Sequence, residues 1–192
     1  FRQTIKSPLI KYEEGASVTS IWAMNSLGID PQTGKELFMC KDGTVGGDWI
    51  ASENMALGNT EPKVNGALYL NYLWKGLSLD LYFMYTYGGQ QYNETLASKI
   101  ENANLENNVD KRVFDLRWQK PGDIARYKSL QDWEISTNPT SRFIQDDNTL
   151  TLQTLTLGYE LPSSWVRKIW LDKVKFTFTM NDVFRASTIK QE

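Results

Sequence analysis

The chain has 192 residues, of which 21 are Lys or Arg, 23 are Asp or Glu and none is histidine, so its formal net charge is −2. This balance disfavours a basic nucleic-acid-binding surface, and the absence of histidine excludes Ser/His/Asp and Cys/His triads and histidine-bearing zinc sites. The single cysteine, Cys40, excludes an internal disulfide or a CxxC pair, and no apolar run is long enough for a transmembrane helix.

The N-terminal third predicts a short antiparallel pair of strands. Residues 18–24 are a weak strand candidate, and Asp30-Pro31-Gln32-Thr33-Gly34 has the composition of a turn. Residues 36–40 are the expected return strand.

Residues 64–87 carry the clearest pattern in the chain. Apolar and aromatic side chains recur at every second position through residues 64–74 and again through 77–87, which is the period-2 pattern of a β-strand. Lys75-Gly76 supplies a two-residue connection in which the glycine accepts a positive φ. We therefore predict a long β-hairpin over residues 64–87. Its second strand presents Leu77, Leu79, Leu81, Phe83, Tyr85 and Tyr87 on one face and Ser78, Asp80, Tyr82, Met84 and Thr86 on the other.

Residues 88–148 form a long excursion with weak periodicity between two strands. A helix is expected within residues 92–103, an exposed Asn-rich loop over 102–108, and a turn at Pro121-Gly122-Asp123. Most connections in a compact domain have about 4–6 residues, so an excursion of this length is unusual.

The C-terminal part predicts two further strands. Residues 149–160 form a strand whose leucines change parity partway, and a β-bulge near Gln153-Thr154 would reconcile the two halves. A short helical turn is expected over residues 165–170, with a preceding serine as its N-cap, followed by an alternating strand over 174–181.

The hairpin strands have the length expected of a transmembrane β-barrel. Eleven residues at a rise of about 3.4 Å span about 37 Å, and a tilt of about 45° reduces this to about 26 Å, close to the ~25 Å apolar band of outer-membrane barrels. One face of each strand is uncharged, and aromatic residues lie near the strand ends, where interfacial girdles occur. We predict an all-β fold in which the chain is part of a transmembrane antiparallel barrel and residues 88–148 are a long extracellular loop. A soluble β-sandwich with the apolar face as its core is the alternative that this pattern leaves open.

Five collinear stretches resemble the C-terminal part of the SusC/RagA family of TonB-linked outer-membrane transporters of Bacteroidota. Each stretch is modest by itself, whereas the ordered set is specific. The stretches are YEEGASVTSIWAMNSLGIDPQTGKELF (12–38), GNTEPKVNGALYLNYLWKGLSLDLYFMYTYGG (58–89), VFDLRWQKPGD (113–123), SRFIQDDNTLTLQTLTLGYELPSSWV (141–166) and MNDVF (180–184).

The resemblance implies a 22-stranded barrel with an N-terminal plug, energised through TonB and covered by a SusD-like surface lipoprotein. Residues 1–192 would then be the C-terminal segment of the barrel, and the chain has no plug, no TonB-interacting segment and no first half of a barrel. The sequence begins at Phe1 without a signal peptide, so we expect a piece of a longer protein. Because unpaired strand edges are not viable in lipid, we expect the remaining strands to be supplied elsewhere.

Candidate substrate contacts come mainly from the excursion. Trp118, Tyr127 and Trp133 are candidate stacking platforms for sugar rings, although the alternative is that they pack the loop or contact the lid protein. Asp80, the only charge in the second hairpin strand, is a candidate for lining the transport path, with a solvated lumen charge as its alternative. Residues 146–148 offer oxygen ligands for a cation, but capping of the next strand is the preferred interpretation.

The predicted function is an outer-membrane, TonB-dependent nutrient importer of glycans or oligosaccharides. The alternatives are an oligopeptide importer of the same family and a soluble β-sandwich carbohydrate-binding module. We expect neither an enzyme nor a bound cofactor or metal, because no histidine, catalytic motif or acid pair is present. The expected partners are a SusD-like lipoprotein, TonB, the remaining barrel strands and plug, membrane lipid and the imported substrate, but no nucleic acid.

Overall fold

The computed structural model of the chain describes residues 11–132 and 135–189. The chain divides into two compact units. The core unit contains the described residues up to Glu61 together with Gln90–Gln145, and the sheet unit contains Pro62–Gly89 together with the described residues from Asp146 onward.

Two small antiparallel sheets lie in the core unit. In one sheet β1 pairs with β5, and in the other the strand order is β2-β3-β4. Strands are present within residues 18–24 and 36–40 as predicted, but their predicted pairing is wrong, because β3 pairs with β2 and β4 whereas β1 pairs with β5. Their bounds are β1 (Ser20–Ala23), β2 (Asn25–Ile29), β3 (Glu36–Met39), β4 (Val45–Gly46) and β5 (Met55–Asn59).

The predicted turn at residues 30–34 connects β2 to β3. Thr33 Oγ1 donates a hydrogen bond to Asp30 Oδ2 at 2.6 Å, and the Gln32 amide donates to Asp30 Oδ1 at 3.0 Å. These bonds lower the pKa of Asp30 below its ordinary value, and the bond from Thr33 makes the larger contribution to this shift. Gly34 closes the turn with a φ of 72°, a left-handed conformation that favours glycine.

Short helical segments make up much of the rest of the core unit. The helix expected within residues 92–103 is confirmed in a shorter form, a π-helical segment at Leu96–Glu101, because Tyr92 still belongs to the preceding strand. Asn93 Oδ1 accepts a hydrogen bond from the Leu96 amide at 3.0 Å at the start of this segment. The 3-10 segments are Ala51–Glu53, Lys111–Val113, Leu130–Asp132 and Ser141–Phe143. None of the helical segments in the described ranges has the length or hydropathy needed to cross a bilayer.

A hydrophobic cluster holds the core unit together. It joins residues from β1, from the π-helical segment and from the 3-10 segments, so the excursion is folded rather than extended. Tyr92 and Phe143 meet edge to face with ring centroids 5.9 Å apart. The buried members of the cluster are Ile21, Tyr92, Ala97, Ile100, Ala103, Val113, Tyr127 and Phe143.

The sheet unit is built on four strands in the order β6-β7-β8-β9. The predicted hairpin is confirmed, with an uninterrupted antiparallel register from Val64↔Tyr87 to Trp74↔Leu77. Lys75 and Gly76 both have positive φ, 45° and 87°, as a two-residue type I′ hairpin turn requires. The strands are β6 (Val64–Trp74), β7 (Leu77–Tyr92), β8 (Ile144–Glu160) and β9 (Lys175–Ser187).

The bulge predicted near Gln153-Thr154 is also confirmed, because the pairing of β8 with β9 shifts register between Leu152 and Thr154. The Thr149 hydroxyl contacts the Thr86 hydroxyl at 3.0 Å on one side of this shift. On the other side, Gly158 lies beside Ser78. Residues of β8 before and after the bulge therefore keep the same orientation relative to β7.

The four strands together form a sheet with two chemically different faces. Residues directly opposite each other in an antiparallel pair share a face. The apolar face carries Leu68, Leu70, Tyr72 and Trp74 from β6; Leu77, Leu79, Leu81 and Phe83 from β7; Leu150, Leu152, Leu155, Leu157 and Tyr159 from β8; and Phe176, Phe178, Met180 and Phe184 from β9. The opposite face is mainly polar and also carries the apolar residues Ala67, Leu73 and Met84. Its polar residues are Asn65, Tyr69, Asn71, Ser78, Asp80, Tyr82, Thr86, Thr149, Thr151, Thr154, Thr156, Thr177, Thr179 and Asn181.

No second sheet covers the apolar face within the described part of the sheet unit. Leu77, Leu79, Leu81 and Phe83 are only partly buried, and Phe176 and Phe178 of β9 are 63% and 61% exposed. A β-sandwich needs a second sheet packed on this face. The sandwich alternative is therefore wrong for this unit.

Residues 161–174 connect β8 to β9 and differ in detail from the prediction. The helical turn begins earlier than expected, as α1 (Ser163–Val166) followed by a 3-10 segment at Arg167–Ile169. The serine N-cap is wrong, because Pro162 occupies that position with no side-chain cap. Its φ of −55° and ψ of 134° suit the extended residue before a helix, which places both serines inside the first turn.

Candidate functional site

The core unit contains a cavity of about 400 Å³, within the range of small-molecule sites. It is bordered by the end of the turn before β3, by β3 itself, by the residues after β4, by Lys128 and by residues 135–138. Its lining residues are Gly34, Lys35, Glu36, Phe38, Gly47, Asp48, Trp49, Lys128, Ile135, Ser136, Thr137 and Asn138.

Trp49 provides the largest aromatic surface of this cavity. Its Nε1 donates a hydrogen bond to the carbonyl of Pro139 at 3.0 Å, and the next amide, that of Ile50, contacts Met24 Sδ at 3.2 Å. The ring is half-buried and held from one edge. A fixed aromatic wall of this kind can stack on an apolar face of a ligand without losing side-chain entropy on binding.

Both signs of charge occur around the cavity. Lys35 and Asp48 are exposed, whereas Glu36 and Lys128 are buried. Lys128 Nζ donates to the carbonyl of Ile135, which ties one wall of the cavity to another. The cavity can therefore offer hydrogen bonds from charged groups at its mouth as well as stacking on Trp49.

Glu36 belongs to a buried ion network that supports the cavity from behind. Arg142 donates from Nε and Nη2 to the two oxygens of Glu36 at 2.8 and 2.6 Å, a bidentate pair. The same Nη2 donates to Glu101 Oε1 at 2.8 Å. Burial by itself would lower the pKa of Arg142, but the hydrogen bond to Glu36 and the charge of Glu101 raise it above its ordinary value. Arg142 therefore stays charged and holds two carboxylates in place.

Thr137 links this network to the cavity wall. Its Oγ1 donates to Glu101 Oε1 at 3.2 Å, its amide donates to Asn102 Oδ1 at 2.6 Å, and its carbonyl accepts from Asn102 Nδ2 at 3.1 Å. The Asn102 side chain thus satisfies both backbone polar groups of Thr137. A wall fixed in this way is preorganised for a ligand.

Arg117 has a structural role instead of a role at the cavity. It is buried and donates to the carbonyls of Val113 at 2.5 Å, Lys128 at 3.0 Å and Glu101 at 3.0 Å, with a further bond to the carbonyl of Ile100. Burial lowers its pKa, an effect that the charge of Glu101 opposes. The guanidinium satisfies backbone acceptors that would otherwise be orphaned in the interior.

The predicted contact residue Trp118 is docked on the turn before β3. Its Nε1 donates to the carbonyl of Pro31 at 2.8 Å, and its ring covers Gly34, a residue that also lines the cavity. Trp118 itself is absent from the lining of the cavity.

Gly34→Ala is expected to destabilise the core unit more than Gly43→Ala. Both glycines have positive φ, 72° and 84°, so each alanine carries a backbone cost of about 1–2 kcal/mol. At Gly34 the new Cβ would also lie 2.6 Å from Trp118 Cδ2, whereas nothing lies within 4 Å at Gly43. Chemical denaturation of the complete gene product should show a loss larger by about 1 kcal/mol or more for Gly34→Ala. Equal losses for the two variants would contradict the docking of Trp118 on this turn.

The other predicted contact residues lie in different surroundings. Tyr127 is only 5% exposed and belongs to the hydrophobic cluster, with the Arg117 and Arg126 guanidinium groups each 5.8 Å from its ring centroid. Its burial favours the packing alternative. Trp133 lies outside the described residues. Tyr127, like Trp118, is not among the lining residues of the cavity.

Asp80 lies on the polar face of the sheet unit. It accepts hydrogen bonds from Tyr69 Oη at 2.5 Å and Asn71 Nδ2 at 2.6 Å, both from β6. The predicted orientation of Asp80, with Ser78 and Thr86 and away from the leucines, is confirmed by the register of the hairpin. Its contact with a transported substrate stays a prediction.

The interpretation of residues 146–148 as a cap of the next strand is wrong, because β8 already begins at Ile144 and these residues lie within it. Asn148 Oδ1 accepts from the Gly88 amide at 2.8 Å, and the Asn148 amide donates to Thr188 Oγ1 at 2.9 Å. Across the described ranges, no group of three or more His, Cys, Asp or Glu side chains is arranged to hold a metal ion.

Sequence reasoning did not single out Trp49 as a cavity residue. The available signal was its position directly after Gly46-Gly47-Asp48, a run of residue types that favour turns, since loops often carry binding residues. The partner surfaces of the cavity come from residues about 90 positions further along the chain, as the bond from Trp49 to Pro139 illustrates. No local pattern could reveal them.

Comparison with known proteins relates this architecture to one class. The chain is 22% identical over 139 residues to one TonB-dependent receptor of Formosa agariphila and 25% identical over 153 residues to another. The alignments cover 70% and 78% of the chain but only 13% and 14% of those receptors. No family model matches the chain.

Two solved structures share the fold. The structure of the RagAB peptide transporter matches 88% of the chain with a TM-score of 0.75 at 22% identity, and the RagAB peptide importer in a closed-closed state matches 88% with a TM-score of 0.68 at 21% identity. The chain covers 19% and 20% of these structures. The predicted resemblance to SusC/RagA-type TonB-dependent transporters and the predicted all-β, barrel-type fold are both confirmed. Within the described residues, strands β6 to β9 form an open sheet.

Proposed function

We propose that the chain is part of an outer-membrane, TonB-dependent nutrient importer of the SusC/RagA type. The observation that carries the proposal is the sheet unit, in which one face consists almost entirely of aromatic and aliphatic side chains and the other is mainly threonine, asparagine and tyrosine. In a barrel wall the apolar face would contact lipid and the polar face would line a wet lumen.

The dimensions of the sheet support this role. The 11 residues of β6 span about 37 Å along the strand, or about 26 Å along the membrane normal at a tilt of about 45°. Tyr85 and Tyr87 lie near one end of the apolar face, and Trp74, Tyr159 and Phe176 lie at the other. This spacing matches two aromatic girdles at the two membrane interfaces. The outer edges of β6 and β9 would pair with strands from the rest of the barrel.

The segment between β7 and β8 would then be an extracellular loop that helps to capture the substrate. The cavity at Trp49 is the supporting feature, because an aromatic wall with hydrogen-bonding groups suits the rings and hydroxyls of a glycan. A SusD-like surface lipoprotein would cover the importer, and TonB would energise it through a plug supplied by the rest of the protein. The role is non-enzymatic, in keeping with relatives that are receptors and transporters.

An oligopeptide is the second candidate substrate. The solved structures with this fold belong to a peptide transporter, and the described lining of the cavity includes an exposed cation, Lys35, and an exposed anion, Asp48. Opposite charges in one site suit the two termini of a short peptide better than they suit a neutral sugar.

Trp49→Ala is expected to weaken substrate uptake by about 5- to 10-fold, since an aromatic contact of this kind contributes about 1 kcal/mol beyond its buried area. Uptake of labelled oligosaccharides and oligopeptides would be measured in cells carrying the complete gene product, with and without a proton-motive force. Ile124→Ala is the matched control, because Ile124 is 96% exposed in the same unit. Uptake that does not depend on the proton-motive force would contradict the proposal that this protein is a TonB-dependent importer. Full uptake by the Trp49 variant would contradict the role of the cavity in substrate binding.

A further inference from the structure

Residues 161–174, which connect β8 to β9, expose large apolar side chains to solvent. Trp165 is 63% exposed, Trp170 is 97% exposed and Leu171 is 49% exposed. Fully exposed tryptophan is uncommon on a protein surface that faces only water. These side chains therefore indicate a surface that another molecule covers.

The backbone of this connection is held in place, so the exposure is built into the fold. Val166 is 1% exposed and anchors the connection. The Trp165 amide donates to the carbonyl of Pro162 at 2.9 Å, and the Leu171 amide donates to the carbonyl of Val166 at 3.3 Å. Trp170 adopts a left-handed conformation with a φ of 60°, which is costly for a bulky side chain.

The same connection is basic. Residues 161–174 contain three basic side chains, Arg167, Lys168 and Lys173, and one acidic side chain, Asp172, which gives a net charge of +2. Lys173 pairs with Glu160 at 2.8 Å. Within the described residues, Arg167 and Lys168 are exposed and form no ion pair. Two free cations thus lie beside the exposed tryptophans.

The connection lies at the end of the apolar face that carries Trp74. The Glu160 amide donates to the carbonyl of Gly76 at 2.7 Å, and the Leu161 amide donates to the carbonyl of Val174 at 3.0 Å. Lys75 Nζ lies 5.3 Å from the centroid of the Trp74 ring at the same end. The apolar surface is therefore continued directly by a surface of tryptophan and basic side chains.

We propose that this connection binds the headgroups of anionic phospholipids in the leaflet that faces the periplasm, an inference that rests on the proposed function. The indole rings would lie at the headgroup level, where amphipathic aromatic side chains are favoured. Arg167 and Lys168 would pair with lipid phosphates. Phospholipid is favoured over a protein partner because the surface continues the apolar face, and its charge is complementary to anionic lipid.

The test compares binding of phosphatidylglycerol and phosphatidylcholine by the complete gene product in vesicles of phosphatidylcholine alone or mixed with phosphatidylglycerol. Native mass spectrometry of the extracted protein reports the retained lipids. The double variant R167Q/K168Q should show a preference for phosphatidylglycerol that is about 25-fold weaker. Each basic residue near the surface strengthens binding of anionic lipid by about fivefold, and the variant removes two of them. The matched control is K63Q/R185Q, which also removes one lysine and one arginine from the sheet unit. These two residues lie near the opposite strand ends, about 30 Å along the strands and well beyond the Debye length.

An unchanged preference in R167Q/K168Q, or an equal loss in the control, overturns the inference. Photocrosslinking from Trp170→p-benzoylphenylalanine in cells gives an independent result, because lipid adducts support the inference and adducts to a protein overturn it. Failure of the native protein to incorporate into any of the vesicles contradicts the proposed function itself. Incorporation without a preference for phosphatidylglycerol overturns only the inference.

Discussion

Replacing Leu81 with arginine is expected to destabilise the membrane-folded protein by about 2–4 kcal/mol, the cost of a basic side chain on the lipid face of a barrel near the bilayer midplane. Leu81 lies near the middle of the hairpin register, opposite Leu70 on the apolar face. The folded fraction would be measured by denaturant titration of the complete gene product in vesicles, with heat-modifiable gel mobility as a second readout.

The neighbouring substitution Tyr82→Arg is the matched control for Leu81→Arg. Tyr82 lies opposite Tyr69 on the polar face and is 36% exposed. An arginine there would face a wet lumen and approach Asp80, so a change within about 1 kcal/mol is expected. Equal losses for the two variants, or a larger loss for Tyr82→Arg, would contradict the assignment of the leucine face to lipid.

Replacing Arg142 with methionine is expected to destabilise the core unit by about 3–5 kcal/mol, because one buried partner is removed and its counter-charges remain. Arg142 contacts both Glu36 and Glu101, whose side chains are 8% and 0% exposed. Two carboxylates would be left without a cation in the interior. Limited proteolysis of the complete gene product, with cleavage mapped to residues 93–143, reports the opening of this unit, and denaturant titration gives the free energy.

Arg112→Met is the matched control for Arg142→Met. Arg112 pairs with Asp110 at 2.7 Å, but the two side chains are about one third exposed, and such pairs contribute about 0–1 kcal/mol. Adding E36Q and E101Q to Arg142→Met should recover much of the loss, since the uncompensated charges are then gone. A loss no larger for Arg142→Met than for Arg112→Met, or no recovery in the triple variant, would show that the network does not stabilise this unit.

Much of the sheet unit could be predicted from residues 64–87 and 149–180 because the signal is local. Side chains of a strand alternate with a period of two, so the hairpin, its turn at Lys75-Gly76 and the parity change near Gln153 were all present in short windows. The parity change also required a bulge, since otherwise Leu150 and Leu157 would lie on opposite faces.

The core unit could be predicted only in outline because its stabilising contacts are distant in the sequence. The hydrogen bonds between Glu36 and Arg142 span 106 residues, and that between Trp118 and Pro31 spans 87. Nothing in the sequence near Arg117 shows whether its guanidinium is buried and bonded to backbone carbonyls or exposed at the surface. The cavity was missed for the same reason, because its walls come from separate segments.

The sequence by itself determined that this protein is built on long strands with one apolar face, because the alternation of side chains is a property of neighbouring residues. Only the tertiary structure decided that the excursion has its own core, that Tyr127 is buried, that Trp49 lines a cavity and that Trp170 is exposed. Burial depends on which distant segments pack against a residue, and that is settled by the free energy of the whole fold instead of by any local preference.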